Sequence, residues 1–379
     1  MKVFIKGGYQ TKFGELWNKS LEDLILESSL NSLKDSNVSL NDIDIIYIGN
    51  LLSSQIYNQN HLGALVSELL DVNIPIIRVE SACASGGVAI NQAYNVIKND
   101  QYKNALVIGV EKMTDLPNDV ISDYLMSAAG KEEIRSQITF AGLYALMAQK
   151  YFKDFKISEK ELANVAIKNH FHASLNEKAH FPFQITYGDY VKSPTIASPL
   201  RLFDCSPVSD GACAVVITNK PFKNSVEIVA SEIASDSISL AKRKNICEMR
   251  STKIATGDAL EKSGIELKNV DLVEVHDCFT IAEIIALEDM GFYKKGQGFL
   301  ASKNKSSYLN GKLPVNTSGG LKACGHPVSA TGVKQVFELF NQLMKRCGER
   351  QIKDAKVGMS QNIGGTGGTA VIHILKKTL

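Results

Sequence analysis

The stretch Val79-Glu80-Ser81-Ala82-Cys83-Ala84-Ser85-Gly86-Gly87-Val88-Ala89-Ile90 decides how the rest of the chain is read. Apolar residues lead in from Ile74, and small residues then crowd around one cysteine. A helically spaced apolar run follows through Ala93, Val96 and Ile97. The pattern predicts a strand, a tight turn and a helix start, with Cys83 at the turn. Backbone N–H groups at a helix N-terminus are unpaired and carry partial positive charge. A thiol placed there shifts toward thiolate and becomes nucleophilic. Gly86 and Gly87 are expected to leave room for a substrate against the backbone. This window also admits a second reading, a buried cysteine in a small-residue packing contact.

Outward from this stretch, strand and helix patterns alternate. Residues 3–8 read as a strand ending at a glycine pair, and Leu21 to Leu33 carries apolar residues at helical spacing. Ile43–Ile48 and Ala105–Val110 read as buried strands, with a helix at Leu62–Leu70 between them. Such alternation predicts an α/β fold with a parallel or mixed sheet covered on both faces. Residues 115–198 break the rhythm and read as a mainly helical insertion. The strand pattern resumes at Gly211–Ile217.

Residues 32–48 can be laid without gaps on residues 259–275. Both read helix end, turn, polar loop, Asp, strand. The helix after Thr331-Gly332 and the strand at Val357 echo the Cys83 helix and the 105–110 strand. Duplication is the economical explanation. It predicts two halves, 1–222 and 223–379, the first holding the insertion.

The composition fits this picture. The chain has 379 residues, 44% hydrophobic and 22% charged, with a formal net charge of +2. That is enough for more than one core and gives no general attraction to nucleic acid. No apolar run is long enough for a membrane span, and the start is too short in apolar residues for a signal peptide. The seven cysteines are scattered without a C-x-x-C pair. This argues for reduced thiols in a cytoplasmic setting and against a zinc site.

A cysteine nucleophile needs a base for its proton and donors for the oxyanion it creates. The second half offers three loops at strand ends, where sites in open α/β sheets lie. Val275-His276-Asp277-Cys278-Phe279 follows a strand. Asn316-Thr317-Ser318-Gly319-Gly320 runs on to Gly325-His326-Pro327, which sets a histidine rigidly between glycine and proline. Gly364-Gly365-Thr366-Gly367-Gly368 can present backbone N–H groups. The last lacks the Lys-Ser/Thr of a phosphate loop.

Taken jointly and in this order, four strings resemble the thiolase superfamily across essentially the whole chain. They are Ser81–Gly86, the His276–Phe279 box, Ser318-Gly319-Gly320 to Gly325-His326-Pro327, and Gly364–Gly367. The segment Pro199–Ala212 resembles that family's return from its loop domain. The resemblance implies a five-layer αβαβα core of two similar halves with an inserted loop domain, and a homodimer or homotetramer. It implies coenzyme A thioesters as substrates and no permanently bound cofactor. Cys83 would carry the acyl group, and His326 would activate it. His326 with His276 would hold the thioester oxygen of the second substrate. The N–H groups of Cys83 and Gly364 would hold the acyl oxygen. The products would be those of Claisen condensation of two acetyl-CoA, or of thiolysis in reverse.

Three departures from the common pattern bear on roles. Many thiolases carry an asparagine–glutamate box where this chain has His276–Phe279, and a second catalytic cysteine where it has Asn362. Both changes occur together in the sterol-carrier-protein and archaeal types, which assigns the second acid/base role to Cys278, with Asn316 and Asn362 in support. The third is Ser329, where glycine is usual. The stretch 231–244 resembles the region that holds pantetheine. That makes Ser231, Ser235, Lys242, Arg243 and Lys244 candidate CoA contacts, although a basic run of this kind is also what a solvated surface shows. His172 and His180 are candidates for the tunnel wall. Two other functions are open: a ketoacyl-synthase-like condensing enzyme, and an inactive scaffold or lipid-binding subunit. Chains of this type can also work with a small zinc-ribbon/OB-fold partner.

Overall fold

A computed structural model describes residues 1–378. The first half runs β1 (Phe4–Gln10), α1 (Leu21–Ser36), β2 (Ile45–Gly49), α2 (Ser53–Tyr57), α3 (Leu62–Leu70), β3 (Ile76–Val79), α4 (Ser85–Lys98) and β4 (Asn104–Glu111). An inserted block follows: α5 (Asn118–Met126), α6 (Lys131–Arg135), α7 (Phe140–Phe155), α8 (Glu159–Ala173), α9 (Tyr187–Lys192), β5 (Thr195–Ala197) and β6 (Leu200–Arg201). β7 (Gly211–Thr218) returns to the sheet. The second half comprises β8 (Val226–Ser235), α10 (Arg250–Ser263), β9 (Leu272–Glu274), α11 (Thr280–Asp289), α12 (Leu300–Lys303), α13 (Gly320–Cys324), α14 (Ala330–Leu343), β10 (Val357–Gly364) and β11 (Thr369–Lys377).

Nine strands stand in the order β3-β2-β4-β7-β1-β8-β11-β10-β9. The order is a palindrome about the β1–β8 junction. β2 lies parallel to β3 and β4, as β9 does to β10, and the remaining pairs are antiparallel. A single parallel bridge, Val273 to Val315, stands where β3 stands in the first half. The half-sheets join through Phe4 with Glu227 and Ile5 with Val226, and through the Ile228 N–H on the Val3 carbonyl at 2.9 Å.

Strand alternation sends side chains to opposite faces and so sorts them into layers. Ile46 and Ile48 pack outward with α1 and α3, while Ile45 and Tyr47 pack inward. The inner layer is α4 and α14, whose Ile90, Ala93, Val336 and Phe340 meet strands of both halves. α10 and α11 cover the outer face of the second half. The layers are therefore helices, half-sheet, α4 with α14, half-sheet, helices.

The repeat holds residue by residue. α1 ends at Ser36 and α10 at Ser263, each followed by a left-handed cap, Asn37 and Gly264. Short 3-10 turns follow at Leu40–Asp42 and Leu267–Asn269.

Gly86 and Gly87 serve packing. A Cβ on Gly86 would lie 2.3 Å from the Ser329 carbonyl, and one on Gly87 2.7 Å from Asn362 Oδ1. A Cβ on Gly332 would lie 2.2 Å from the Gly87 nitrogen. The expected substrate space is filled by α14 and its leading turn, which press backbone against backbone on α4.

Candidate active site

β3 delivers Cys83 through a sharp turn. Ala82 sits in the left-handed region at φ +50° and α4 starts at Ser85. A non-glycine residue there stores strain of about 1–3 kcal/mol. The turn is held by Ser85 Oγ donating to the Ala82 carbonyl at 2.6 Å and accepting from the Ser81 N–H at 2.9 Å.

The expected lowering of the Cys83 thiol does not occur. Burial pushes it up to about 12, and Glu111 and Glu80 push the same way. A hydrogen bond from the Gly365 N–H offsets only part. Three of the helix donors that would stabilise a thiolate are already occupied. Ser85 N–H goes to the Ala82 carbonyl, Gly87 N–H to Asn362 Oδ1 and Val88 N–H to the Ala84 carbonyl. At rest Cys83 is a neutral thiol, which would need a base to act as a nucleophile.

His326 and His276 stand beside it. One ring nitrogen of each and the Cys83 sulfur all lie within 4.8 Å of one another. The rings meet edge to face, with centroids 5.0 Å apart. Burial lowers both. His326 falls to about 3, helped by Lys334, and His276 falls well below its ordinary value, helped by His326. Both imidazoles are neutral, so each carries one proton.

Their neighbours place those protons differently. Thr331 Oγ1 donates to the Pro327 carbonyl at 3.2 Å, so it accepts from His326 Nδ1, 2.8 Å away. His326 Nε2 is left as a base. At His276 the order reverses. The Gly87 N–H can only donate, and it fixes the oxygen of the Asn362 amide at 3.2 Å. Asn362 Nδ2 therefore faces the Cys83 carbonyl at 3.2 Å and His276 Nδ1 at 3.0 Å. His276 Nδ1 accepts, its proton sits on Nε2, and that buried atom has no partner among the described residues. Cys83, His276 and His326 also have the makeup of a metal-ligand set. The proton that Asn362 keeps on His276 Nε2 opposes coordination there.

Asp277 and Glu274 build the supporting wall. Asp277 accepts from the Leu321 N–H at 2.7 Å and from Asn169 Nδ2 at 2.7 Å, tying the His276 box to α13. Glu274 takes the Ser318 hydroxyl at 2.7 Å and pairs with buried Lys334 at 3.2 Å. Asn316 supports this region from outside the pocket. Its Oδ1 takes the Val275 N–H at 2.8 Å and its Nδ2 reaches Glu283 at 2.8 Å.

Cys83, Cys278 and His326 open on a cavity of about 180 Å3, walled mainly by apolar side chains. Three regions contribute. The inserted helices add Leu125, Phe140 and Tyr144, the segment before β7 adds Pro207 and Val208, and the last loop adds Gly365. Sequence reading missed Tyr144 and Thr331. Both lie on ordinary helical patterns with no local sign of a role. In the glycine loop, the Gly365 N–H meets the Cys83 sulfur. Gly364 is the last residue of β10, paired with Thr369. Ser329 is buried behind the pocket, its carbonyl wedged between Gly86 and Gly109.

The candidate CoA contacts divide. Ser235, Lys242 and Lys244 are exposed. Ser231 is buried and engaged with Asn91 at 3.0 Å and His373 at 2.9 Å, so it has no face for a ligand. Arg243 is also buried. It donates to the Thr366 carbonyl at 2.7 Å and the Ser237 carbonyl at 2.8 Å, which makes it a brace for the glycine loop. His172 is buried against the Asn316 carbonyl and half-buried His180 lies against Ser209, both away from the pocket lining.

Comparison with known proteins agrees with this geometry. The thiolase N-terminal domain model matches residues 3–221, and the thiolase C-terminal domain-like model matches residues 233–377. An acetyl-CoA acetyltransferase of Methanothermobacter thermautotrophicus is 40% identical, over 99% of both chains. Sterol carrier protein 2 of Homo sapiens is 28% identical, over 99% of this chain and 72% of that protein. Two solved structures share the fold. The Ltp2-ChsH2(DUF35) aldolase has a TM-score of 0.85 at 20% identity, covering 99% of this chain and 98% of that one. Human mitochondrial 3-ketoacyl-CoA thiolase has a TM-score of 0.76 at 21% identity, covering 100% and 99%. The duplicated halves, the cysteine turn with its two histidines, and these matches place the chain in the thiolase family.

Proposed function

We propose that the protein is a CoA-dependent acyltransferase that joins two acetyl-CoA into acetoacetyl-CoA, or cleaves 3-ketoacyl-CoA with CoA, through an acyl group on Cys83. The observation that carries this reading is the pair of opposite histidine tautomers around one neutral thiol. His326 Nε2 takes the Cys83 proton as sulfur attacks the thioester carbonyl. The N–H groups of Cys83 and Gly364 hold the oxyanion in this reading. The CoA thiolate leaves with the proton from His326. His276 Nε2–H is then the donor for the thioester oxygen of a second acetyl-CoA. Cys278 removes a proton from its methyl group. The resulting carbon attacks acyl-Cys83, and the Cys83 sulfur departs.

The small apolar cavity fits a short acyl group. Exposed Ser235, Lys242 and Lys244 are the remaining candidates for contacts to CoA. The two halves meet between residues 222 and 223 in this reading. A homodimer is supported by β3, an edge strand whose outer side is unpaired and whose Ile77 is 46% exposed. The ChsH2(DUF35) component of the aldolase structure supports testing for a second protein. Free thiols throughout support a reduced, cytoplasmic setting, and no helix among the described residues is long and apolar enough to cross a membrane.

Acetoacetyl-CoA mixed with free CoA should lose its enolate absorbance in the presence of the protein. Cys83→Ala should abolish that loss, and equal rates would sink the assignment. Carbon dioxide release from a malonyl thioester would instead favour a decarboxylating synthase.

A further inference from the structure

Tyr144 comes from the inserted helix α7 and lines the cavity with Cys83 and Cys278. It is fully buried and stacks on Phe279, with ring centroids 4.6 Å apart. Its hydroxyl donates to the Gly365 carbonyl at 3.0 Å and lies near enough to the Cys278 sulfur, on the wall of the same cavity, for each group to shift the other's proton affinity. A phenol has one proton to give. With that proton on the Gly365 carbonyl, Oη can only accept from the Cys278 S–H. Turned toward sulfur, it donates to a thiolate. The stack on Phe279, the residue after Cys278, keeps the hydroxyl in place for both arrangements. Arg243 holds the Thr366 carbonyl from the other side, so the glycine loop keeps a brace when the phenol turns.

We propose that Tyr144 is the positioning residue for the second acid/base, holding the Cys278 sulfur toward the cavity and donating its proton to the Cys278 thiolate. The inference rests on the acyl-Cys83 reading above. The thiolate forms when Cys278 releases its proton to solvent. It then takes a proton from the methyl group of bound acetyl-CoA, and the C–H electron pair moves into the thioester as an enolate. Cys278 is a thiol again, and the phenolic proton returns to the Gly365 carbonyl. Without a donor at this point the thiolate would be costly, because burial, Cys83 and Asp277 all push Cys278 up. The charged and titratable groups facing the pair are Cys83, Asp277 and Arg243.

The test uses the full chain with Tyr144→Phe, which keeps the ring and its stack. Two rates are read with acetyl-CoA in deuterated water: acylation of Cys83 by intact mass, and deuterium entry into the acetyl methyl group. Acylation should change by less than about threefold. Exchange should fall about 10- to 100-fold, the loss expected for a hydrogen bond to a charged group. Its acid limb should move to higher pH. In a Cys278→Ala background, Tyr144→Phe should add nothing. Unchanged exchange, an equal fall in both rates, or a further fall in the double variant would overturn the proposal. Wild-type protein that never acylates Cys83 would overturn the acyltransferase reading itself.

Discussion

Asp44 and Asp271 hold equivalent places in the two halves and do the same work. Asp44 takes the N–H groups of Lys103 and Asn104 at 2.8 and 2.9 Å, opening β4. Asp271 takes those of Lys356 and Val357 at 2.7 and 2.9 Å, opening β10. Beyond the strands the halves part. The loop after β2 carries Asn50 and Leu52, which donate to buried Glu111 and only build structure. The loop after β9 carries His276 and Cys278. The turn before α4 carries Cys83, the proposed nucleophile, and the turn before α14 carries His326, its proposed base. The framework is shared and the chemistry is divided, so the site is complete only where α4 and α14 bring the halves together.

The sharpest way to break this comparison is at the two turns. His326→Ala should slow acylation of Cys83 by roughly 10²- to 10⁴-fold, measured by rapid-quench intact mass. Ser81→Ala, at the matching place before α4, should change it little. A comparable loss from both would mean that the turns share structural work only.

A smaller effect is expected at Asn362. In Asn362→Asp an oxygen faces His276 Nδ1, so the imidazole proton moves there and Nε2 loses its donor. Condensation should fall about 10- to 100-fold with Cys83 acylation preserved. Equal loss of both steps would contradict the tautomer assignment.

Acid should weaken the fold through the buried histidines. Burial lowers His170, His172, His326 and His373 to about 3, and His276 well below its ordinary value. Below the unfolded value of about 6.5 the unfolded chain binds protons that the native chain does not, so stability falls as pH falls. Each such histidine contributes at most about 1.4 kcal/mol per pH unit. The urea midpoint should therefore drop between about pH 7.5 and about pH 5.5. A flat midpoint would contradict the burial argument.

The smallest effect sharpens the likeness of the halves. Asp44→Asn and Asp271→Asn should each cost about 1–2 kcal/mol, and by similar amounts, in chemical denaturation. Strongly unequal costs would mean that the matched carboxylates do not do matched work.

Much of this was legible in the chain. The ungapped match of residues 32–48 with 259–275 predicts the paired helix ends, turns and strands, because short-range capping and strand chemistry set them. The loops holding Cys83, His276, Cys278 and His326 stand out because glycine, proline and strand ends mark them locally. What stayed hidden depends on contacts between distant segments. Tyr144 looks like any buried tyrosine until α7 lies against Phe279. Arg243 reads as a surface charge until the glycine loop folds over it. Gly86 and Gly87 read as space for a ligand until α14 fills it. The Cys83 thiol is raised because distant segments of the chain close over it and bury it, which a local helix start does not show.

In the proposed mechanism Cys83 carries the acyl group, served by a base from the other half. The most direct measurement is peptide mass spectrometry after brief exposure of the intact protein to acetyl-CoA. The account predicts an acetyl group on the Cys83 peptide, removed by added CoA and nearly absent in His326→Ala. An acetyl group on Cys278 instead, or none on any cysteine, would contradict it.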